Sequence, residues 1–164
     1  VHNLNINDVP EEVVKKLQLI VMDSFGLMIS AKNEPYIKSL INALQEHGNC
    51  TLVGHNKNTN PFNASIINGT AIHGEDFDDT FEGTPVHVGS VMVPAMLSSA
   101  QAKNLDGENF FKGLVVGSEL ICRLALVAPT AVHRQGFHPT AIFGAFGSSI
   151  GVSSVLKNLS LIHI

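Results

Sequence analysis

An all-α fold follows from three features of the sequence. Apolar residues recur at three- and four-residue intervals in successive blocks. Residues that cap or stop helices flank these blocks. No stretch sustains the every-other-residue alternation of a half-buried strand. Roughly six helices joined by short connections are expected.

Asp8 is placed to cap the first helix, with Pro10 in its opening turn and Glu11 and Glu12 at the positive end of its dipole. Val13, Leu17, Ile20 and Val21 recur at helical spacing, and the helix should run to Ile29 or Ser30. A second opens near Glu34-Pro35, turns Ile37, Leu40, Ile41 and Leu44 to one side and is expected to stop at Gly48. Thr51 to Gly54 reads as a short extended piece, followed by a polar turn to Asn60. Asn60-Pro61 has the cap-and-proline signature of a third helix through Ala64, Ile67 and Ala71. Phe81 to Ser90, with Gly83, Pro85 and Gly89, is expected to be a loop. Val91 to Lys103 reads as a fourth helix with Pro94 in its first turn, and Glu108 to Val127 as a long apolar one. Ala128 to Pro139 should be a connecting loop. Thr140 to Leu156 closes the pattern, with Gly144, Gly147, Ser148 and Gly151 spaced so that a second backbone can approach closely.

Composition narrows the function. The 164 residues suit one domain. Charged residues are 15% of the chain, below the ~25% of typical domains, so some apolar surface should be covered by further chain or a partner. The net charge is −4 and no basic stripe occurs, which argues against nucleic acid. Cys50 and Cys122 are too few for a disulfide framework or a zinc cluster. No secretory signal is visible, and the stretch Gly113 to Ala128 is broken by Glu119 and Arg123, an intrahelical ion pair by spacing. A cytoplasmic protein with no membrane partner is expected. The first residue is not Met and the last follows a helical pattern, so both ends look cut.

Two segments carry chemistry. In GEDFDDTFEGTPVHVGS, three aspartates, Thr80 and His87 crowd together. The plain reading is a helix end in which Asp78 or Asp79 caps a following turn. A phosphate-transferring DxDxT site needs a hydrophobic strand before it, and NGTAIHGE is not one. A DxDD site that protonates alkenes needs an aromatic pocket, and this chain has no Trp and one Tyr. A divalent ion could use His73, Asp76, Asp78, Asp79 and His87, but dedicated spacings such as HxxxH are missing and no metal is expected. The reading that remains is an acid/base site for a small carboxylic acid. His87 supplies a pKa near neutrality, Asp76 can orient an imidazole, and Thr80 can hold a carboxylate or hydroxyl. In HRQGFHPT, Gly136 and Pro139 restrict the backbone around His138 and aim it at a helix entrance, where N–H groups favour anions.

The segments NGTAIHGEDFDDTFEGTPVHVGSVMVPAML, GSELICRL and HRQGFHPTAIFGAFGSSIGVSSVL closely resemble the MmgE/PrpD family. The resemblance runs from near the start to about Leu159. It implies a helical large domain, here residues 1–159, and an α+β lid domain absent from these residues. It leaves 160–164 as a tail of doubtful origin. It further implies homodimers, a pocket for small di- and tricarboxylates between the domains, and chemistry without an organic cofactor or iron–sulfur cluster. By motif the active-site aspartate and threonine fall on Asp76 and Thr80, and the two histidines on His87 and His138. A catalytic-site lysine of the family lies in sequence beyond residue 164, so these residues are expected to be an N-terminal fragment, inactive alone. The implied reaction is a lyase step, foremost dehydration of 2-methylcitrate in propionate catabolism. Decarboxylation of cis-aconitate and epimerisation of iminodisuccinate are the alternatives within the family. A non-catalytic helical association module is the alternative outside it.

Overall fold

A computed structural model describes residues 4–44 and 46–156, and the segment 160–164 lies outside the described residues. Among them the chain is helical almost throughout: α1 Glu11–Ser30, α2 Pro35–Ala43, α3 Pro61–His73, α4 Gly89–Lys103, α5 Gly107–Val127, α6 Ala131–Arg134 and α7 Pro139–Leu156. Two-residue strands β1 Cys50–Thr51 and β2 Asn58–Thr59 pair antiparallel. The expected all-α class holds.

Local chemistry sets the helix ends. Asn60 accepts from the Asn63 N–H at 2.8 Å, with Pro61 in the first turn of α3. Asp106 does the same for α5 through Asn109 at 2.9 Å. Asp8 does not cap α1. It ends a 3-10 turn, Ile6–Asp8, and α1 starts at Glu11 behind Pro10 with no side-chain cap. α2 stops at Ala43, short of Gly48. Gly48 instead lies against β2, where a Cβ would stand 2.3 Å from the Thr59 carbonyl oxygen. The expected stop was a close-approach glycine. α4 begins two residues early, which moves Pro94 beyond its first turn. Proline has no N–H for the Ser90 carbonyl, and that carbonyl faces Gly69 of α3.

α4 is the central helix. It packs on α1, α3, α5 and α7 and buries Met92, Val93, Met96 and Ala100. The most extensive pairing is α5 with α7. There a Cβ on Gly117 would lie 2.6 Å from the Gly147 oxygen, and one on Gly151 2.7 Å from the Gly113 oxygen. α7 is also the one helix among the described residues with the length and hydropathy of a bilayer span. Its buried residues Phe143, Gly144, Gly147, Gly151 and Val155 belong to the packing on α4 and α5. Apolar side chains stay exposed elsewhere, as the low charge suggested. Leu19, Met22 and Ile29 form a stripe on α1, and Phe77 and Phe137 stand beside the site described next.

Candidate active site

Three backbone segments bring the site together: the end of α3 with the turn after it, the loop before α4, and the entrance of α7. His73 occupies the last position of α3. Tyr36 of α2 donates to Glu75 at 2.9 Å and pins the turn that follows. Burial first, and then Glu75, push the Tyr36 hydroxyl up to about 12. The loop carrying His87 is held by the buried side chains Val86 and Val88 and by hydrogen bonds between Phe81 and Val86. The His87 N–H donates to the buried Thr140 hydroxyl of α7 at 3.0 Å. His138 precedes Pro139, and its carbonyl accepts from Ala141 and Ile142, so it stands at the α7 entrance as the sequence suggested. Gly136, at φ 82°, turns the chain into it.

The four polar residues of DFDDT separate into different tasks. Asp76 is 80% exposed and adopts a left-handed φ of 56°, a conformation Asp tolerates better than most side chains. Its Oδ1 lies 3.8 Å from His87 Nε2. Asp78 is the buried carboxylate, with no exposed side-chain surface. Its oxygens accept from His73 Nδ1 at 3.0 and 3.1 Å. His87 Nδ1 approaches it at 3.3 Å outside hydrogen-bond geometry, and that nitrogen has no hydrogen-bond partner. Asp79 accepts from the Val88 and Gly89 N–H groups at 3.3 and 2.8 Å and so caps α4. A Cβ at position 89 would lie 2.4 Å from Asp79 Oδ1, so a larger residue there would push the capping carboxylate aside. Burial raises the Asp79 pKa against the lowering pull of the Gly89 N–H. Thr80 is exposed and makes no hydrogen bond among the described residues.

The three imidazoles form one cluster. Ring centroids of His73, His87 and His138 are 4.8 to 6.2 Å apart, and the His73 and His138 rings stack at 15°. His73 Nε2 is 3.1 Å from His138 Nε2. Burial, and then the neighbouring His73 and His87, hold the His138 pKa below its usual value. His73 and His138 wall a cavity of about 320 Å³ whose other sides include Gly69, Thr70, Ser90, Val91 and Ala141. The structure therefore gathers Asp76, His87 and His138, and Thr80 makes no hydrogen bond to them. It adds Asp78 as the buried acceptor and His73 as the ring that links the segments. Sequence reasoning had considered these two only for capping or a metal. Gly69, Thr70, His73 and Gly74 share one helical face of small and polar residues, which is the signal that could have found His73. His73, Asp76, Asp78 and His87 offer possible metal-ligand atoms within 4.8 Å of one another. The His73 and Asp78 atoms among these are already joined by their own hydrogen bonds.

A family model described as the MmgE/PrpD N-terminal domain matches residues 1–160. A cis-aconitate decarboxylase-like protein, oryM, of Aspergillus oryzae is 26% identical over 95% of this chain and 35% of its own length. Cis-aconitate decarboxylase of Aspergillus terreus is 22% identical over 94% of this chain and 33% of its own. The Mus musculus cis-aconitate decarboxylase is 26% identical over 95% and 34%. The chain thus spans about a third of the length of the curated relatives it matches.

Proposed function

Because this chain belongs to the MmgE/PrpD family, we propose that it forms the imidazole-bearing part of a lyase acting on a small di- or tricarboxylate. The observation that carries the reading is the cluster of His73, His87 and His138 around one buried carboxylate, beside a cavity of about 320 Å³. Lyase chemistry next to a carboxylate passes through carbanion-like character at carbon. Dehydration of this kind needs one group to take a proton and one to give it, whereas decarboxylation needs only the group that gives it. His138 suits the acceptor, because burial and its neighbours keep it in the neutral form. His87 suits the donor, because its charged form would find Asp78 at one ring nitrogen and Asp76 at the other. Asp76, exposed beside His87 Nε2, balances that charge. Thr80 remains the proposed substrate contact, on the resemblance alone.

The first substrate to try is cis-aconitate, the acid in the relatives' names. In that reaction the C–CO₂⁻ bond breaks, CO₂ leaves, and the carbon that keeps the electron pair takes a proton from an imidazolium. Dehydration of 2-methylcitrate, the reading favoured by the sequence resemblance, is the second. There His138 takes the proton and His87 protonates the departing hydroxide. A cytoplasmic homodimer belongs to the same proposal. The test is to express the longest reading frame carrying this chain and to follow CO₂ release and water loss from the two acids. His138→Ala should lower turnover of the dehydration by about 100-fold or more. Near wild-type turnover in that variant removes His138 from the mechanism. No turnover of either acid by the unaltered protein favours the non-catalytic association module.

A further inference from the structure

We propose that Asp78, His73 and His138 form a hydrogen-bonded proton relay in which His73 positions and charges the catalytic imidazole. This deepens the reading above and rests on it.

Donor and acceptor counts fix where the protons sit. The carboxylate of Asp78 can only accept. Both of its oxygens lie within 3.1 Å of His73 Nδ1, so that nitrogen carries the proton. The neutral His73 ring is left with a lone pair on Nε2. That lone pair faces His138 Nε2 at 3.1 Å. Two ring nitrogens so close need one proton between them, and in the resting state it belongs to His138 Nε2. The tautomer of His138 is thereby set, and its Nδ1 is left as the basic atom. A residue on α3 thus dictates which nitrogen of a residue 65 positions away can act.

The relay balances. When His138 Nδ1 takes a proton from substrate, its Nε2 proton moves to His73 Nε2. His73 becomes an imidazolium with both nitrogens engaged, one by His138 and one by Asp78. The positive charge ends beside the buried carboxylate instead of on the exposed ring, and the reverse transfer returns the proton. The charged and titratable groups facing His138 are His73 from α3, His87 from the loop before α4, and Asp76 and Asp78 from the turn between them. Burial first, and then His73 and His87, hold the His138 pKa below its ordinary value against the opposing pull of Asp76 and Asp78, in the direction the relay requires. A structural staple would need the His73–Asp78 bonds only. The additional Nε2–Nε2 contact to a stacked ring has no part in a staple.

The imidazole nitrogens of the ¹⁵N-labelled chain, observed through long-range proton–nitrogen correlation near pH 7.5, read the tautomers directly. His73 should show a protonated Nδ1 and a bare Nε2, and His138 the opposite pattern. Asp78→Asn should release His73 into a tautomer mixture and shift the His138 nitrogens with it, although no hydrogen bond joins residues 78 and 138. His73 protonated on Nε2 alone, or His138 resonances unmoved in Asp78→Asn, overturns the relay. If Asp78→Asn does not fold, His138→Phe serves: the His73 Nε2 signal should move and Nδ1 stay, and no movement counts against the relay. In the longest reading frame, His73→Phe should lower kcat about tenfold or more with KM little changed. A chain with the predicted tautomers and no turnover of any polycarboxylate sinks the lyase reading and not the tautomer assignment. Full turnover with the wrong tautomers sinks the relay alone.

Discussion

The seam between α5 and α7 and the imidazole cluster are both places of unusually close approach, for opposite reasons. In the seam, atoms are missing. Gly113 and Gly117 meet Gly147 and Gly151 backbone to backbone, with no room for a Cβ. In the cluster, polar atoms are present that need one another, and exposure runs from nothing at Asp78 to 80% at Asp76. The seam has no chemistry, yet it sets where α7 lies and hence where His138 stands. The cluster has chemistry and no framework of its own. Its rings come from α3, a loop and the α7 entrance, and they meet because helices elsewhere do. A site held by a rigid frame tolerates exposed, mobile parts that a packed seam cannot.

The largest effect should come from the seam. In Gly117→Val the new Cβ would stand 2.6 Å from the Gly147 carbonyl oxygen, and backbone cannot step aside as a side chain can. Urea unfolding should show a loss of about 3 kcal/mol or more, or no cooperative transition at all. A loss under about 0.5 kcal/mol would mean that α5 and α7 do not touch at these glycines.

A smaller effect should separate two aspartates that look alike in DFDDT. Asp78→Ala leaves the half-buried His73 Nδ1 without its acceptor and empties the buried place of the carboxylate. The expected cost is about 2 kcal/mol. Asp76→Asn keeps a side chain that tolerates the left-handed backbone and removes only an exposed charge. It should change stability by less than about 0.5 kcal/mol. Equal costs from the two variants would place both carboxylates in the same environment and undo the division of tasks described above.

The difference between the regions also decides what can be read from residues alone. The seam could be read because small residues at Gly147 and Gly151 follow helical spacing, which is a periodic signal. Asn60-Pro61 was equally plain, because a cap and a proline act locally. His138 was marked by the glycine and proline around it. The choice among Asp76, Asp78 and Asp79 was not available in that way. It depends on the left-handed turn at Asp76, which sends residue 76 outward and residue 78 inward. No period describes that turn. Gly48 misled for a related reason. A glycine that ends a helix and one that makes room for another segment look the same until the second segment, here Thr59, is placed.

The smallest effect is the dependence of stability on pH, which the cluster should show and the seam should not. The pKa of His138 is held below its ordinary 6.5, first by burial and then by His73 and His87. Between that lowered value and 6.5 the unfolded chain binds more protons than the folded one. The contribution of His138 is therefore complete above pH 6.5 and is lost as pH falls through the lowered value. Asp79 works in the other direction. Burial raises its pKa above the ordinary 3.8, so the folded chain binds more protons just above 3.8. Its contribution is greatest below that pH and declines as pH rises. Urea midpoints across pH 4 to 8 should then fall on acidification below 6.5, and His138→Gln should flatten that limb. Asp79→Asn should remove the opposing decline nearer pH 4. Any variant of the seam that still folds should keep the wild-type curve shape, displaced downward. A His138→Gln curve with the wild-type slope between pH 5 and 6.5 would show that His138 titrates alike in folded and unfolded chains.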